Sequence, residues 1–135
     1  MQLLDLTKQD LELVEKAREL IKKRISKWST VAACLRTTNN QVFCGVNISI
    51  EGSEPCSICA EYAAIGTMVT AGEKEIKTIV AVAGKHNNVI LPPCGKCRQF
   101  IGEFGNPEVI VPVNAEAKKA KLSELYPLPV ISEKE

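Results

Sequence analysis

Any fold this sequence adopts has to accommodate two short clusters, Cys59-Ala60-Glu61 and Pro93-Cys94-Gly95-Lys96-Cys97-Arg98-Gln99. Together they supply three thiols and one carboxylate. Three thiolates can hold a tetrahedral zinc ion with one position left open for water, and a carboxylate beside that position can move the water's protons. Two residues separate Cys94 from Cys97, a spacing that lets both sulfurs point at one ion. The same spacing serves redox pairs, but no βαβ unit of the thioredoxin kind precedes it. Each cluster also opens a segment of helical composition. Residues 57–71 are rich in Ala, Ile, Met and Tyr and are stopped by Gly72; the other segment is 94–104. Helix N-termini carry partial positive charge and free amides, both of which favour thiolates. Two such helices aimed at one point would build an anionic cage.

The remaining elements follow from periodicity. Thr7 with Asp10 predicts an N-cap and first-turn acid. Leu11, Val14, Ala17, Ile21, Ile25 and Trp28 then recur at steps of three and four, one face of a helix that carries Trp28 into the core. Residues 31–35 and 42–50 read as strands joined by a hairpin at Thr37-Thr38-Asn39-Asn40. Residues 76–83 are apolar on both faces, as a central buried strand requires. A loop is expected over 84–93, a strand over 109–113 and a helical turn over 122–125, before a Pro-containing tail. The order α-β-β-α-β-α-β, with a late α, predicts a single α/β domain over 1–135, one mixed sheet covered by helices on both faces. The second helix carries Ala63, Ala64, Gly66, Met68 and Val69 and has no clearly polar face, so it is either buried or used at a subunit contact.

Composition narrows the functions. A chain of 135 residues buries a core without staples. Net charge is +1 and aromatics are 4%, so the basic face and stacking rings of a polynucleotide binder are missing and no nucleic-acid polymer is expected as a partner. No apolar run reaches membrane-spanning length, and the first ten residues mix both charges, unlike an export signal. The expectation is a cytoplasmic protein with no membrane partner. A reducing compartment keeps thiols free, so Cys34 and Cys44 are expected as small buried hydrophobes. Cys56 leaves an alternative open: as a fourth ligand it would close the metal and make it structural.

Glu61 lies two residues after Cys59, so their side chains diverge by about 200° around an ideal helix. It is poorly placed to ligate the same ion but can lie beside the open position as a proton shuttle; otherwise it merely satisfies the helix dipole. Arg98 is expected to hydrogen-bond to sulfur and offset the cage's negative charge, or else to face solvent. His86 reads as a surface loop residue, with a substrate contact as the alternative, Asn87 and Asn88 read as turn formers, and Lys118, Lys119 and Lys121 as a solvated basic face.

On these residues the chain resembles the zinc deaminases of the cytidine deaminase superfamily, whose signature is His- or Cys-x-Glu followed by Pro-Cys-x-x-Cys. Pro93-Cys94-Gly95-Lys96-Cys97-Arg98-Gln99, with Phe100 and Glu103-Phe104, looks specifically like the small homotetrameric cytidine deaminases and the related blasticidin-S deaminases. Gly45-Val46-Asn47 is similar to their strand-end motif. The resemblance runs over about 31–126. It implies a three-layer α/β/α sandwich with a mixed sheet of the five-stranded type, and a catalytic zinc held by Cys59, Cys94 and Cys97. Glu61 is then the catalytic acid and base, Asn47 holds the sugar, Ser29 is a substrate contact, and active sites are completed at subunit contacts in a homotetramer or homodimer. Three positions depart from the cytidine type. Ser49 stands where a Glu holds the ribose, Tyr62 where an Arg supports the thiolates, and Ser29 where a Phe packs on the pyrimidine. Ser29 leans towards the blasticidin-S type, yet that type's C-terminal aromatics correspond here to Val130 and Ser132.

Three functions follow. The first is hydrolytic deamination of cytidine or deoxycytidine to uridine or deoxyuridine with release of ammonia. The second is deamination of a blasticidin-S-like aminoacyl nucleoside or another modified amino-heterocycle. The third is a structural zinc module closed by Cys56, Cys59, Cys94 and Cys97.

Overall fold

Thr7 and Asp10 form a full capping box at the start of α1 (Lys8–Arg24): Asp10 N donates to Thr7 Oγ1 at 3.2 Å, and Thr7 N donates to Asp10 Oδ2 at 2.8 Å. The computed structural model describes residues 1–85 and 89–131. The buried face of α1 is Leu13, Val14, Ala17 and Ile21. Leu11, expected on that face, falls outside it and is 56% exposed. The helix also stops earlier than the apolar repeat implies, because Ile25 turns to extended backbone at ψ 132°. Trp28 therefore lies past the helix, 50% exposed, with Lys27 Nζ 4.8 Å from its ring centroid rather than in the core.

Strands β1 (Val31–Thr37), β2 (Val42–Val46), β3 (Ile76–Ala83), β4 (Ile90–Leu91), β5 (Glu108–Val113) and β6 (Glu116–Lys121) form one sheet. Its order is β2-β1-β3-β5-β6, with β4 paired to β3 beyond the stretch that β5 covers. The β3–β5 pair is parallel and the rest are antiparallel, which makes the sheet mixed. Between the parallel strands the chain crosses over through α3 (Gly95–Ile101), while α2 (Ala60–Thr70) links β2 to β3. Side chains alternate across the sheet as the pleat demands. Ala33, Leu35, Ile79 and Ala81 face α2, α3 and the short α4 (Leu122–Leu125), whereas Ala32, Cys34, Val80 and Val82 face α1. Three layers result.

Several expectations need correction. Strand β2 ends at Val46, short of residue 50, because Asn47 leaves the ladder and Ile48 bridges to Ile58. Strand β4 lies in the segment expected to be loop. Cys34 and Cys44 are not free: they are register partners across β1 and β2, with Cα atoms 4.1 Å apart, and they form a disulfide. Only the pairing register, which spacing does not reveal, sets them face to face.

The lysine run forms β6, where Lys121 is exposed and Lys118 half-buried, but Lys119 departs from the solvated face. Lys119 is 6% exposed and its Nζ lies 2.8 Å from Asp10 Oδ2 and 2.9 Å from Glu108 Oε1. This ties β6 to β5 and to the capping box of α1. Burial pushes the Asp10 carboxyl up, but hydrogen bonds from Lys119 and Thr7 outweigh it and hold the group below the usual carboxylate range. The contribution of this pair is therefore present above the ordinary Asp pKa and is lost as pH falls through the lowered one. Lys119→Ala leaves two carboxylates without their cation, and urea unfolding at neutral pH should show a loss of about 3 kcal/mol. A loss below about 1 kcal/mol would assign the pair no more than a surface bridge contributes.

One glycine positions the site. A Cβ at Gly45 would lie 2.5 Å from the Ala64 amide nitrogen and 2.6 Å from the Ala63 Cβ. Helix α2 can lie this close to β2 only because residue 45 has no side chain.

Candidate active site and metal centre

Cys59 is the N-cap of α2 and Cys94 the N-cap of α3, both in extended backbone, and Cys97 sits in the first turn of α3. The two helix starts thus converge, and the three Sγ atoms all lie within 4.8 Å of one another. Sulfurs arranged tetrahedrally around one zinc ion are about 3.8 Å apart, so this donor set fits that metal. Cys56 stands outside the group; it is exposed, and its sulfur accepts a hydrogen bond from Ser53 Oγ at 3.2 Å. Three ligands and an open fourth position is the composition of a catalytic site rather than a structural one.

Electrostatics argue for a cation here. Burial, then the charge of Glu61, then the neighbouring Cys59 and Cys94, push the Cys97 thiol far above its ordinary range. At Cys94 burial acts in the same direction, but hydrogen bonds from Cys97 and Lys96 outweigh it and the thiol is lowered. A divalent ion would remove the penalty at Cys97 by supplying the missing charge. Glu61, in the first turn of α2, is 7% exposed. Burial raises its carboxyl above the usual range, against the pull of its own backbone amide and of the Cys97 thiol that bonds to it.

The cage opens into a cleft of about 380 Å³. Asn47, Ser49, Glu54, Glu61, Lys96 and the three cage cysteines are among its lining residues.

Residues 7–113 match the model of the cytidine and deoxycytidylate deaminase zinc-binding region. The chain belongs to this family of zinc-dependent deaminases. Over 95% of its length it is 33% identical to blasticidin-S deaminase of Bacillus cereus, covering 96% of that protein. It is 41% identical to the cytidine deaminase of Mycoplasma genitalium over 70% of this chain and 72% of that one. The crystal structure of cytidine deaminase from Burkholderia pseudomallei superposes with a TM-score of 0.73 at 27% identity, covering 93% of this chain and all of that one (100%). The Mycobacterium leprae enzyme, at 21% identity and a TM-score of 0.76 over 90% of this chain and 99% of that one, supports the fold.

Other expected site residues of the deaminase land differently. Arg98 does not reach for sulfur: its Nε donates to the Pro93 carbonyl at 2.8 Å and its Nη1 to the Leu125 carbonyl at 2.7 Å. Consecutive helical residues point about 100° apart, so the neighbour of Cys97 is turned away from what Cys97 faces. Arg98 instead ties α3 to α4. Where the resemblance expected an arginine, Tyr62 faces the cage. Its hydroxyl is pushed up by burial and then by the charges of Cys97, Cys59 and Cys94. The Tyr62 ring stacks on Phe100 at 4.0 Å, and Lys96 Nζ lies 4.9 Å from the ring centroid.

Asn47 and Ser29 are brought together. Asn47 Oδ1 accepts from the amides of Thr30 at 2.8 Å and Val31 at 2.9 Å, and Ser29 Oγ donates to the Asn47 carbonyl at 2.7 Å. Asn47 lines the cleft; Ser29 is buried behind it and is not among the cleft's lining residues. His86, Asn87, Asn88 and Ser132 lie outside the described residues. Glu54 and Lys96 line the cleft although neither stood out in the sequence, Lys96 being only a variable position inside a motif.

Proposed function

We propose that this deaminase removes the exocyclic amine of a free cytosine nucleoside, converting cytidine or deoxycytidine to uridine or deoxyuridine with release of ammonia. The observation that carries this reading is one buried carboxylate, Glu61, beside a three-sulfur cage with an open fourth position. Cys59, Cys94 and Cys97 would hold the zinc ion. Bound there, zinc supplies the Lewis acidity that makes water a nucleophile near neutral pH. Glu61 takes a proton from the attacking water and gives it to the ring nitrogen N3, then hands a second proton to the departing amine. Its burial keeps this traffic away from bulk water. Asn47, which lines the same cleft, orients the sugar, and Ser29 supports Asn47 through its hydrogen bond to the Asn47 carbonyl.

A second reading rests on the near full-length match to blasticidin-S deaminase and on Ser29, Ser49 and Tyr62: the substrate is then an aminoacyl cytosine nucleoside. A panel decides. Zinc-loaded protein should release ammonia from cytidine or deoxycytidine with loss of cytosine absorbance. Turnover of blasticidin S alone would move the assignment to the second reading, and no turnover of any cytosine nucleoside would contradict both.

The chain acts as a single domain over 1–135, and the assembly we propose is a homotetramer or homodimer. Gly66, Thr67, Val69 and Thr70 leave an exposed face of small, hydroxyl and apolar side chains along α2, which supports a subunit contact there. Light scattering on the eluted protein should give a multiple of the chain mass; a monodisperse monomer would contradict the assembly. Among the described residues no helix is long and apolar enough to cross a membrane, and cytoplasmic placement is part of the same proposal.

A further inference from the structure

One stretch of the chain carries cations and no acid. Between Glu19 and Glu51 there is no Asp or Glu, while Lys22, Lys23, Arg24, Lys27 and Arg36 all fall there, although the whole chain has a net charge of only +1. Lys22, Lys23, Arg24 and Lys27 are exposed and form no ion pair among the described residues. The first three sit in the last turn of α1, where cations complement the helix's negative end. That accounts for neither Lys27, which lies past the helix, nor Lys85, which is also exposed and follows β3.

Exposed apolar side chains stand among these cations: Ile25, Trp28 and Val89. The backbone brings them together. A Cβ at Gly84 would lie 2.6 Å from Ile21 Cγ1 and 3.2 Å from Ile25 Cδ1, so the chain leaving β3 runs against the end of α1. Gly84 N donates to the Thr30 carbonyl at 2.7 Å and Ala83 N to the Val89 carbonyl at 2.8 Å, which sets Lys85 and Val89 beside the Trp28 turn. That turn is itself fixed. Ser26 Oγ accepts from the amides of Trp28 and Ser29, both at 3.1 Å, and the Trp28 carbonyl accepts from Ser49 N at 2.8 Å. A large aromatic ring is therefore held out in solvent by a tied backbone, not by a loose end.

An apolar patch ringed by cations complements a surface that is anionic outside and apolar just beneath, which is the interface of a bilayer with acidic headgroups. A polynucleotide fits less well. Bases stack on open aromatic faces, whereas Lys27 Nζ stands 4.8 Å from the Trp28 ring centroid, and Ile25 and Val89 offer no ring. Among the described residues no helix is long and apolar enough to cross a membrane; contact with a membrane surface needs no such helix. We propose that this patch docks the protein peripherally on membranes rich in anionic lipid. Trp28, Ile25 and Val89 enter the headgroup boundary, and the surrounding lysines and arginine lie against the headgroups.

Trp28 is the only tryptophan of the chain, so its emission reports the contact directly. The full-length, zinc-loaded protein is titrated with vesicles of phosphatidylserine and phosphatidylcholine in equal parts. Emission should shift to the blue and saturate, stay unchanged with vesicles of phosphatidylcholine alone, and revert as salt is raised. In co-sedimentation, the double variant Lys23→Ala with Lys27→Ala should bind the mixed vesicles about 25-fold more weakly, or about fivefold for each cation. Trp28→Ala should lose about tenfold or more through its apolar area. All three side chains are exposed, so melting and zinc content should match wild type. No blue shift on the mixed vesicles, equal binding to neutral ones, or variants that bind as wild type does would each overturn the proposal. A shift with a single-stranded oligonucleotide and none with vesicles would overturn it in favour of nucleic acid. A smaller mass by light scattering for Trp28→Ala would overturn it in favour of a second copy of the chain on this face.

Discussion

Glu61→Gln should leave a folded, zinc-loaded protein whose kcat is lower by about 10²–10⁴-fold, the range that positioned acid–base groups contribute. Gln keeps the shape and hydrogen-bonding reach of Glu but can neither take nor deliver a proton. Steady-state ammonia release, normalised to measured zinc content, gives the number. The same variant separates two roles of the residue. As an N-terminal acid, Glu61 would stabilise α2 through the helix dipole, and its loss would lower the melting temperature. Its observed surroundings predict otherwise: burial is the largest influence on its carboxyl and raises it. For a group whose folded pKa is raised, the charged form costs stability above that pKa, and the neutral amide removes the cost. Melting of the metal-free variant should therefore stay level or rise, while turnover of the zinc-loaded variant collapses. Turnover within about threefold of wild type would contradict general acid–base work by Glu61.

Local signals were the legible ones. The capping box at Thr7 and Asp10, the turn at Thr37 to Asn40, the doubly buried β3 and the helix starts at both thiol clusters depend on residues a few positions apart. The converging sulfurs were legible for the same reason: a cysteine at a helix start and a two-residue spacing define direction as well as chemistry.

Features set by tertiary register were hidden. Cys34 and Cys44 meet only because β1 and β2 pair with residue 34 opposite 44. Strand β6 reads as a polar run because Lys119, its buried cation, finds carboxylates on the neighbouring β5 and on the distant α1. Arg98 was misread because adjacency to Cys97 along a helix is not shared direction. Trp28 was misread because the α1 apolar repeat runs on past the point where the backbone leaves the helix. Glu54 carries no motif; only the folded loop brings it to the cleft.

The most direct check of the whole account is elemental analysis of three purified proteins: wild type, Cys97→Ser and Cys56→Ser. Cys97 is the most buried cage thiol, and replacing it removes one of three protein ligands from an ion that needs them all to keep a single position open. Cys56 stands outside the cage. The account predicts about one zinc per chain in the wild type and in Cys56→Ser, with ammonia release intact in both, and loss of zinc and activity together in Cys97→Ser. Metal-free wild type, or zinc lost from Cys56→Ser, would contradict an open three-sulfur site.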